Sequence, residues 1–347
     1  MVTEVGLWSA GDAEDLFQIF GRVFGDQAAA AKRSTWAWQY EQNPGGSPER
    51  SVWVVRRNGR ALGQIGTIPV SLWWGDREVR ASWGIDYLVA REAEGQGHSI
   101  ALVRAWMESV DVALAVGLTP ISYLICKRLG FQDLGYVPFF QAVVDPSAIA
   151  RRRLGRFGGA IAAPFLRAAM KTMRRRPVID PQIEVRSAGE IGADYDTLWE
   201  RARPGFAMCV RRDAAYVRWR YRGAPHKQYE ILEARRGGTL LGFIVTRQVD
   251  HRGLRLGWIV DLFAACDDRS TKDALLATAM KRFSKDRVAR AQAFCTNARL
   301  AVDLRRHGFF KGASPAHLCV RPRNISGDPV SRVDDWHIVY GDSDSDR

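Results

Sequence analysis

Five landmarks occur twice in this chain, in the same order. Ser9-Ala10-Gly11-Asp12 returns as Ser187-Ala188-Gly189-Glu190, and Trp38-x-Tyr40-x-x-x-Pro44 as Trp219-x-Tyr221-x-x-x-Pro225. Gly63 answers Gly242, Asp86 answers Asp261, and Gly130-Phe131 answers Gly308-Phe309. The offset stays between 175 and 181, varying only as loop lengths would. A unit of about 180 residues can bury a core of its own, so the repeat predicts a duplicated domain and excludes a solenoid of small repeats. The expected division is 1–146, a separating segment 147–182, a second copy 183–325 and a tail 326–347, whose last stretch, GDSDSDR, reads as disordered.

One copy can be read from its patterning. Glu4 to Trp8 predicts a strand, followed by a helix begun by Ser9 or Asp12 with Leu16, Ile19, Phe20, Val23 and Phe24 on one face. Asn43-Pro44-Gly45-Gly46 is a loop. Ser51–Arg56, Ala61–Trp73 and Glu78–Val89, joined by Asn58-Gly59 and Gly75-Asp76, predict a three-strand antiparallel meander. A glycine loop at 95–97 opens a helix carrying Ile100, Val103, Met107 and Val110, and Val112–Val116 is a buried strand. Thr119 and Pro120 then start a helix that Gly130 ends. The fold class is α/β: two tandem domains, each a mixed, mostly antiparallel sheet flanked by helices.

Charge separates the halves. Residues 1–150 hold 13 Lys+Arg against 16 Asp+Glu; the remainder hold 51 − 13 = 38 against 38 − 16 = 22, so the net charge runs from −3 to +16. The separating segment contributes Arg151-Arg152-Arg153, Arg156, Arg167, Lys171 and Arg174-Arg175-Arg176 around Ile161, Phe165 and Leu166. A solvated linker explains these residues; so does a foot on an anionic polymer or membrane surface. No apolar run approaches the roughly 18 residues of a membrane span, and the acidic N-terminus does not read as a signal peptide. Five scattered cysteines exclude a disulfide framework and a cysteine zinc site, the six histidines show no ligand spacing, and a cytoplasmic location is expected.

The chemistry concentrates after the strand ending Leu88-Val89-Ala90, in Arg91-Glu92-Ala93-Glu94-Gly95-Gln96-Gly97-His98-Ser99. Glycines two apart at a strand-to-helix junction let several backbone N–H groups point one way, and the helix N-terminus adds partial positive charge. The combination suits a pyrophosphate. It is neither a Walker loop nor a complete GxGxxG. Asp86, on the preceding strand, reads either as a base or, since it recurs as Asp261, as a structural carboxylate. His98 reads as exposed, and Trp38, Tyr40, Trp219 and Tyr221 as core.

In this order of elements the sequence resembles the GNAT superfamily of acyl-CoA N-acyltransferases. VAREAEGQGHSIALV (89–103) is similar to the family's loop signature, with Gly95 and Gly97 in register and Ser99 at its small position; KRLGF (127–131) is similar to the terminal helix. The resemblance implies an acyl-CoA bound along Glu94, Gly95, Gln96, Gly97, His98 and Ser99, with its pyrophosphate on the 95–99 amides and the Glu94 carboxylate turned away, and its pantetheine arm along Leu88, Val89 and Ala90. Glu94 replaces the family's usual Arg or Gln. The tyrosine that many members use as general acid aligns with Cys126 here and with Leu304 in the second copy. Cys126 has packing as its ordinary role, and Tyr123, one turn earlier, is the candidate replacement. Asp86, Tyr123 and Cys126 thus form the candidate catalytic set. The second copy places Ser270 and Lys272 where the first has glycines, beside Asp267 and Asp268. The expected activity is transfer of an acetyl or other acyl group from CoA to an amine in a ternary complex, without a metal. An aminoacyl-tRNA-dependent transferase of the peptidoglycan-bridge type, and a non-catalytic module for acyl-CoA or an anionic polymer, are the alternatives.

Overall fold

The computed structural model describes all residues except 1–2, 153, 156–176, 226, 315, 324, 326–331 and 345–347. The meander forms where turn chemistry and alternation demand it. Strand β1 (Thr3–Leu7) lies beside β2 (Val52–Arg57), followed by β3 (Arg60–Trp74) and β4 (Arg77–Val89), all antiparallel. Asn58 and Gly59 have φ of 51° and 79°, as the tight hairpin between β2 and β3 requires. Helix α1 (Ala13–Phe24) buries Leu16, Ile19 and Phe20 but leaves Val23 and Phe24 exposed, so its apolar stripe is shorter than the sequence suggests. It is followed by α2 (Asp26–Trp36), which continues into a π-turn carrying Trp38 and Tyr40. Helix α3 (His98–Glu108), the parallel strand β5 (Val112–Val116) and α4 (Pro120–Arg128) complete the predicted order. Thr119 caps α4 by accepting from the Ser122 amide at 3.3 Å.

The second copy repeats this plan. It comprises β8 (Glu184–Ser187), α5 (Ala193–Ala202), β10 (Glu230–Arg236), β11 (Thr239–His251), β12 (Leu254–Ala264), α6 (Arg269–Lys285), β13 (Arg290–Phe294) and α7 (Ala298–Arg306). A short β9 (Met208–Val210) instead joins the far end of β3.

The halves exchange their last strands. After β6 (Gln132–Tyr136), strand β7 (Phe139–Val143) leaves its own half and pairs with β13, and β14 (Phe310–Gly312) lies beyond it. Reciprocally, β15 (His317–Pro322) inserts between β5 and β6. Each sheet is therefore closed by a strand of the other copy, and residue 146 does not mark a clean break between independent units. Trp38 and Trp219 meet near the pseudo-twofold axis. Their rings stack at 5.5 Å, and each indole N–H donates to the other's backbone carbonyl, at 2.8 and 2.7 Å. One face of each sheet packs on its own α3–α4 or α6–α7 pair, while the opposite faces share a core running from Leu16 through Tyr195 and Phe263 to Trp336.

The C-terminal segment is ordered through Asp344, against the expectation for 341–347; residues 345–347 lie outside the described residues. Trp336 is fully buried in β16 (Trp336–His337), which pairs with β9, and the buried Asp342 forms an ion pair with Arg212 at 2.8 Å. Burial of an aromatic and pairing of a carboxylate outweigh the polar composition of the tail. Of the basic segment, Arg151 reaches Asp145 at 3.9 Å and Arg152 bonds the Arg252 carbonyl. Arg153, Arg156, Ile161, Phe165, Leu166, Arg167, Lys171 and Arg174–Arg176 lie outside the described residues.

Candidate active site

Strand β4 pairs with β5 only from Ala81–Trp83 to Val112–Leu114. Beyond that, β4 continues to Val89 on β3 alone, and β5 continues to Val116 on β15. The pairing with β3 slips between Gln64 and Gly66, and Asp86 takes a φ of 48°. A non-glycine residue in this region costs on the order of 1–3 kcal/mol unless its surroundings hold it. They do. The Asp86 carboxylate pairs with Lys32 of α2, both side chains being almost wholly buried. It also accepts from Tyr40 Oη at 2.6 Å and Gln39 Nε2 at 2.9 Å.

The bulge changes which residues share a face. Ile85 and Leu88 join the shared core, while Tyr87 and Val89 turn toward α3 and α4. Where β4 and β5 part, a narrow apolar cleft of about 40 Å³ opens, lined by Gly84 and Tyr87, Ala115 and Leu118, Val103 and Trp106 of α3, and Ile125 and Cys126 of α4.

At the end of β4 the chain turns through Arg91–Ala93 into the glycine loop. Gly95 and Gly97 have φ of 73° and 81°, a region that a side chain makes costly. Gly97 is the N-cap of α3, and no side chain caps it, so the first-turn amides are left for a ligand or solvent. The loop's counter-charge comes from Arg57 at the end of β2, whose guanidinium bonds Gln96 Oε1 and lies 3.2 Å from His98 Nε2. His98 is buried, not exposed as its position suggested; burial, with Arg57 adding to it, lowers its pKa. Glu94 is exposed, and Arg22 offsets Glu92 at 3.7 Å.

The second half treats the same junction differently. Asp268 caps α6, accepting from the Thr271 amide at 3.0 Å, and Lys272 turns back to the Cys266 carbonyl at 2.9 Å and to Asp303 at 2.7 Å. Where β12 and β13 part after Ile259 and Ala293, the C-terminal segment lies in the seam. Val339 bridges Cys295, the Thr296 amide donates to the Ile338 carbonyl at 3.1 Å, and Tyr340 stacks on Trp258 and Phe294, each at 5.1 Å. Asp261, the counterpart of Asp86, accepts from Tyr221 at 2.7 Å and from Arg212 at 3.1 Å, with no positive φ.

The three candidate catalytic residues are not brought together. Asp86 is bound into the ion-pair cluster beneath the bulge. Tyr123 faces away from the cleft, donating to Asp133 at 2.6 Å beside His317, and that hydrogen bond raises its pKa to about 12. Cys126 does line the cleft, but burial pushes its thiol up to about 12, which makes it a poor nucleophile. Of the predicted binding stretch, Leu88 and Val89 pair with β3, and the Ala90 amide donates to the Leu62 carbonyl at 2.7 Å. Sequence reasoning missed Arg57 and Tyr87. Arg57 is 38 residues from Gly95, and nothing along the chain links them. Tyr87 follows Asp86 directly, but which face it takes depends on the bulge. Among the described residues there is no cluster of metal-ligating side chains and no helix long and apolar enough to cross a membrane.

A family model described as an acetyltransferase (GNAT) domain matches residues 5–133. No curated protein matches the sequence. Among solved structures, a GCN5-related N-acetyltransferase from Anabaena variabilis superposes with a TM-score of 0.64 at 12% identity, covering 92% of this chain and 73% of that one. One from Kribbella flavida gives 0.61 at 16%, covering 92% and 72%. Saccharomyces cerevisiae N-myristoyltransferase with bound myristoyl-CoA gives 0.55 at 12%, covering 92% and 82%. Residues 5–133 are therefore similar to a GNAT acetyltransferase domain, and the two-half fold of the chain is shared with solved GCN5-related N-acetyltransferases.

Proposed function

We propose that this protein moves an acyl group, most simply acetyl, from CoA to an amine by direct attack in a ternary complex, and that the first half alone binds the acyl-CoA. One observation carries the reading: an uncapped N-terminus behind two positive-φ glycines opens α3, the helix whose Val103 and Trp106 line a cleft between parted parallel strands. The amides of 95–99 would take the pyrophosphate with Arg57 as counter-ion, and the thioester arm would follow Leu88–Ala90 into the cleft. The amine nitrogen then attacks the thioester carbonyl. The protein's work is to orient the reactants, to exclude water along an apolar wall and to provide for two proton transfers.

The second half lacks each part of that arrangement. Asp268 occupies its helix N-terminus, and Tyr340 with Val339 lies in its strand seam. Titration calorimetry with acetyl-CoA should give about one site per chain, and Gly97→Val should abolish binding while leaving the folded circular-dichroism spectrum unchanged. Two equivalent sites, or full affinity in Gly97→Val, would overturn the assignment.

A further inference from the structure

Breaking the thioester leaves a thiolate that must be protonated, and the side chain at the aligned tyrosine position, Cys126, is a buried thiol with a raised pKa. Tyr123 points to Asp133 and cannot serve the cleft. The bulge at Asp86, however, turns the next residue into the same cleft. Tyr87 lines it beside Cys126, and its hydroxyl is buried with the Ser99 hydroxyl as a hydrogen-bonding neighbour. A phenol both donates and accepts, so one serine neighbour leaves part of that capacity for a group that occupies the cleft. The Ser99 hydroxyl and the Cys126 thiol both stand close enough to bear on its ionisation, which places it between the loop and the aligned tyrosine position. In the second half the residue after Asp261 is Leu262, buried in that half's own core, so the hydroxyl belongs only to the half with the open cleft.

We propose that Tyr87 is the general acid of the transfer, supplied from β4 in place of the helix tyrosine; this rests on the acyl-CoA reading above. The amine nitrogen forms the new C–N bond as the C–S bond breaks, its electron pair passing to sulfur. The sulfur takes the Tyr87 proton and leaves as CoA thiol. The amine's surplus proton goes to water, and the phenolate regains a proton from solvent when CoA departs. Burial raises the Tyr87 pKa, which keeps the phenol protonated at neutral pH.

The test is Tyr87→Phe, which keeps the ring and removes only the hydroxyl. Turnover of acetyl-CoA with a panel of small primary amines should fall by about 10²-fold or more in kcat. The KM for acetyl-CoA and its calorimetric affinity should stay within about threefold, as expected for a contact that matters only in the transition state. The wild-type fall in kcat at alkaline pH, where the phenol ionises, should disappear in the variant. If the wild type binds no acetyl-CoA, the parent reading fails. If it binds and turns over, and Tyr87→Phe keeps both kcat and the alkaline limb, the acid assignment alone fails. A Tyr87→Phe variant weakened in affinity but not in kcat would make Tyr87 a binding residue and refute its role as acid.

Discussion

Replacing Asp86 by Asn separates a structural carboxylate from a catalytic base. The asparagine would retain the volume and could still accept from Tyr40, but it would leave the Lys32 ammonium, with a side chain only 7% exposed, facing a neutral amide. Removing one partner of a buried ion pair costs about 3–5 kcal/mol, a large share of the roughly 5–15 kcal/mol that typically holds a domain together. The positive φ at Asp86 does not add to the loss, since asparagine adopts the left-handed region as readily as aspartate, so the measured cost reports the ion pair. Removing the orphaned charge as well, with Lys32→Met, should recover about 2–3 kcal/mol, so that the double variant is more stable than Asp86→Asn alone. Urea unfolding of wild type, both single variants and the double variant measures this coupling. Asp86→Asn within about 0.5 kcal/mol of wild type, or strictly additive losses, would refute the ion-pair reasoning. Kinetics on the folded double variant completes the comparison. A kcat within a few fold of wild type is expected, whereas a loss of 10²–10⁴ would make Asp86 the proton acceptor.

Three further outcomes follow from the packing. Trp336→Ala, which empties a fully buried site in the C-terminal segment, should cost about 3–5 kcal/mol in urea unfolding; a cost under about 1 kcal/mol would mean that the tail is not part of the core. Trp38→Phe keeps a ring at the pseudo-twofold contact but loses the bond to the Trp219 carbonyl, and should cost about 1 kcal/mol; Trp219→Phe should match it because the contact is reciprocal. His337 is buried with neither ring nitrogen hydrogen-bonded among the described residues, and its pKa is lowered well below the ordinary value by burial, with Arg212 and Lys272 adding to it. For a depressed histidine the unfolded chain binds the proton first. Its contribution to stability is therefore complete above about pH 6.5 and falls by about 1.4 kcal/mol per unit as pH drops toward the folded pKa. His337→Leu should flatten that acid slope between pH 6.5 and 5, and an unchanged slope would assign the acid sensitivity to other groups.

Much of the fold was legible because local chemistry is written locally. The Asn58-Gly59 hairpin, the Thr119 cap and the glycines at 95 and 97 each have the conformation that their residue types require, and so the strand-loop-helix junction could be found in advance. The candidate site was legible only in part. Gly95 and Gly97 fell where expected, but Asp86, Tyr123 and Cys126 are divided among an ion-pair cluster, the far side of α4 and the cleft. One bulged residue decides this. Strand alternation would place Tyr87 by counting along β4, and the left-handed turn at Asp86 resets the count.

The sequence by itself determined the duplication, the order of elements in each copy and the position of the glycine loop, because repeats, turn residues and apolar periodicity act over a few residues. Only the tertiary structure decided the exchange of β7 and β15. Backbone hydrogen bonds are alike in every strand, so a segment's own residues say that it will pair but not with which sheet. The tail was decided in the same way. GDSDSDR has the composition of a solvated end, yet Asp342 is held because Arg212, 130 residues earlier, is buried with Asp261 and forms an ion pair with it as well. The contacts that order this segment and close the second seam form only when the two halves are folded together, across distances along the chain that no local pattern spans.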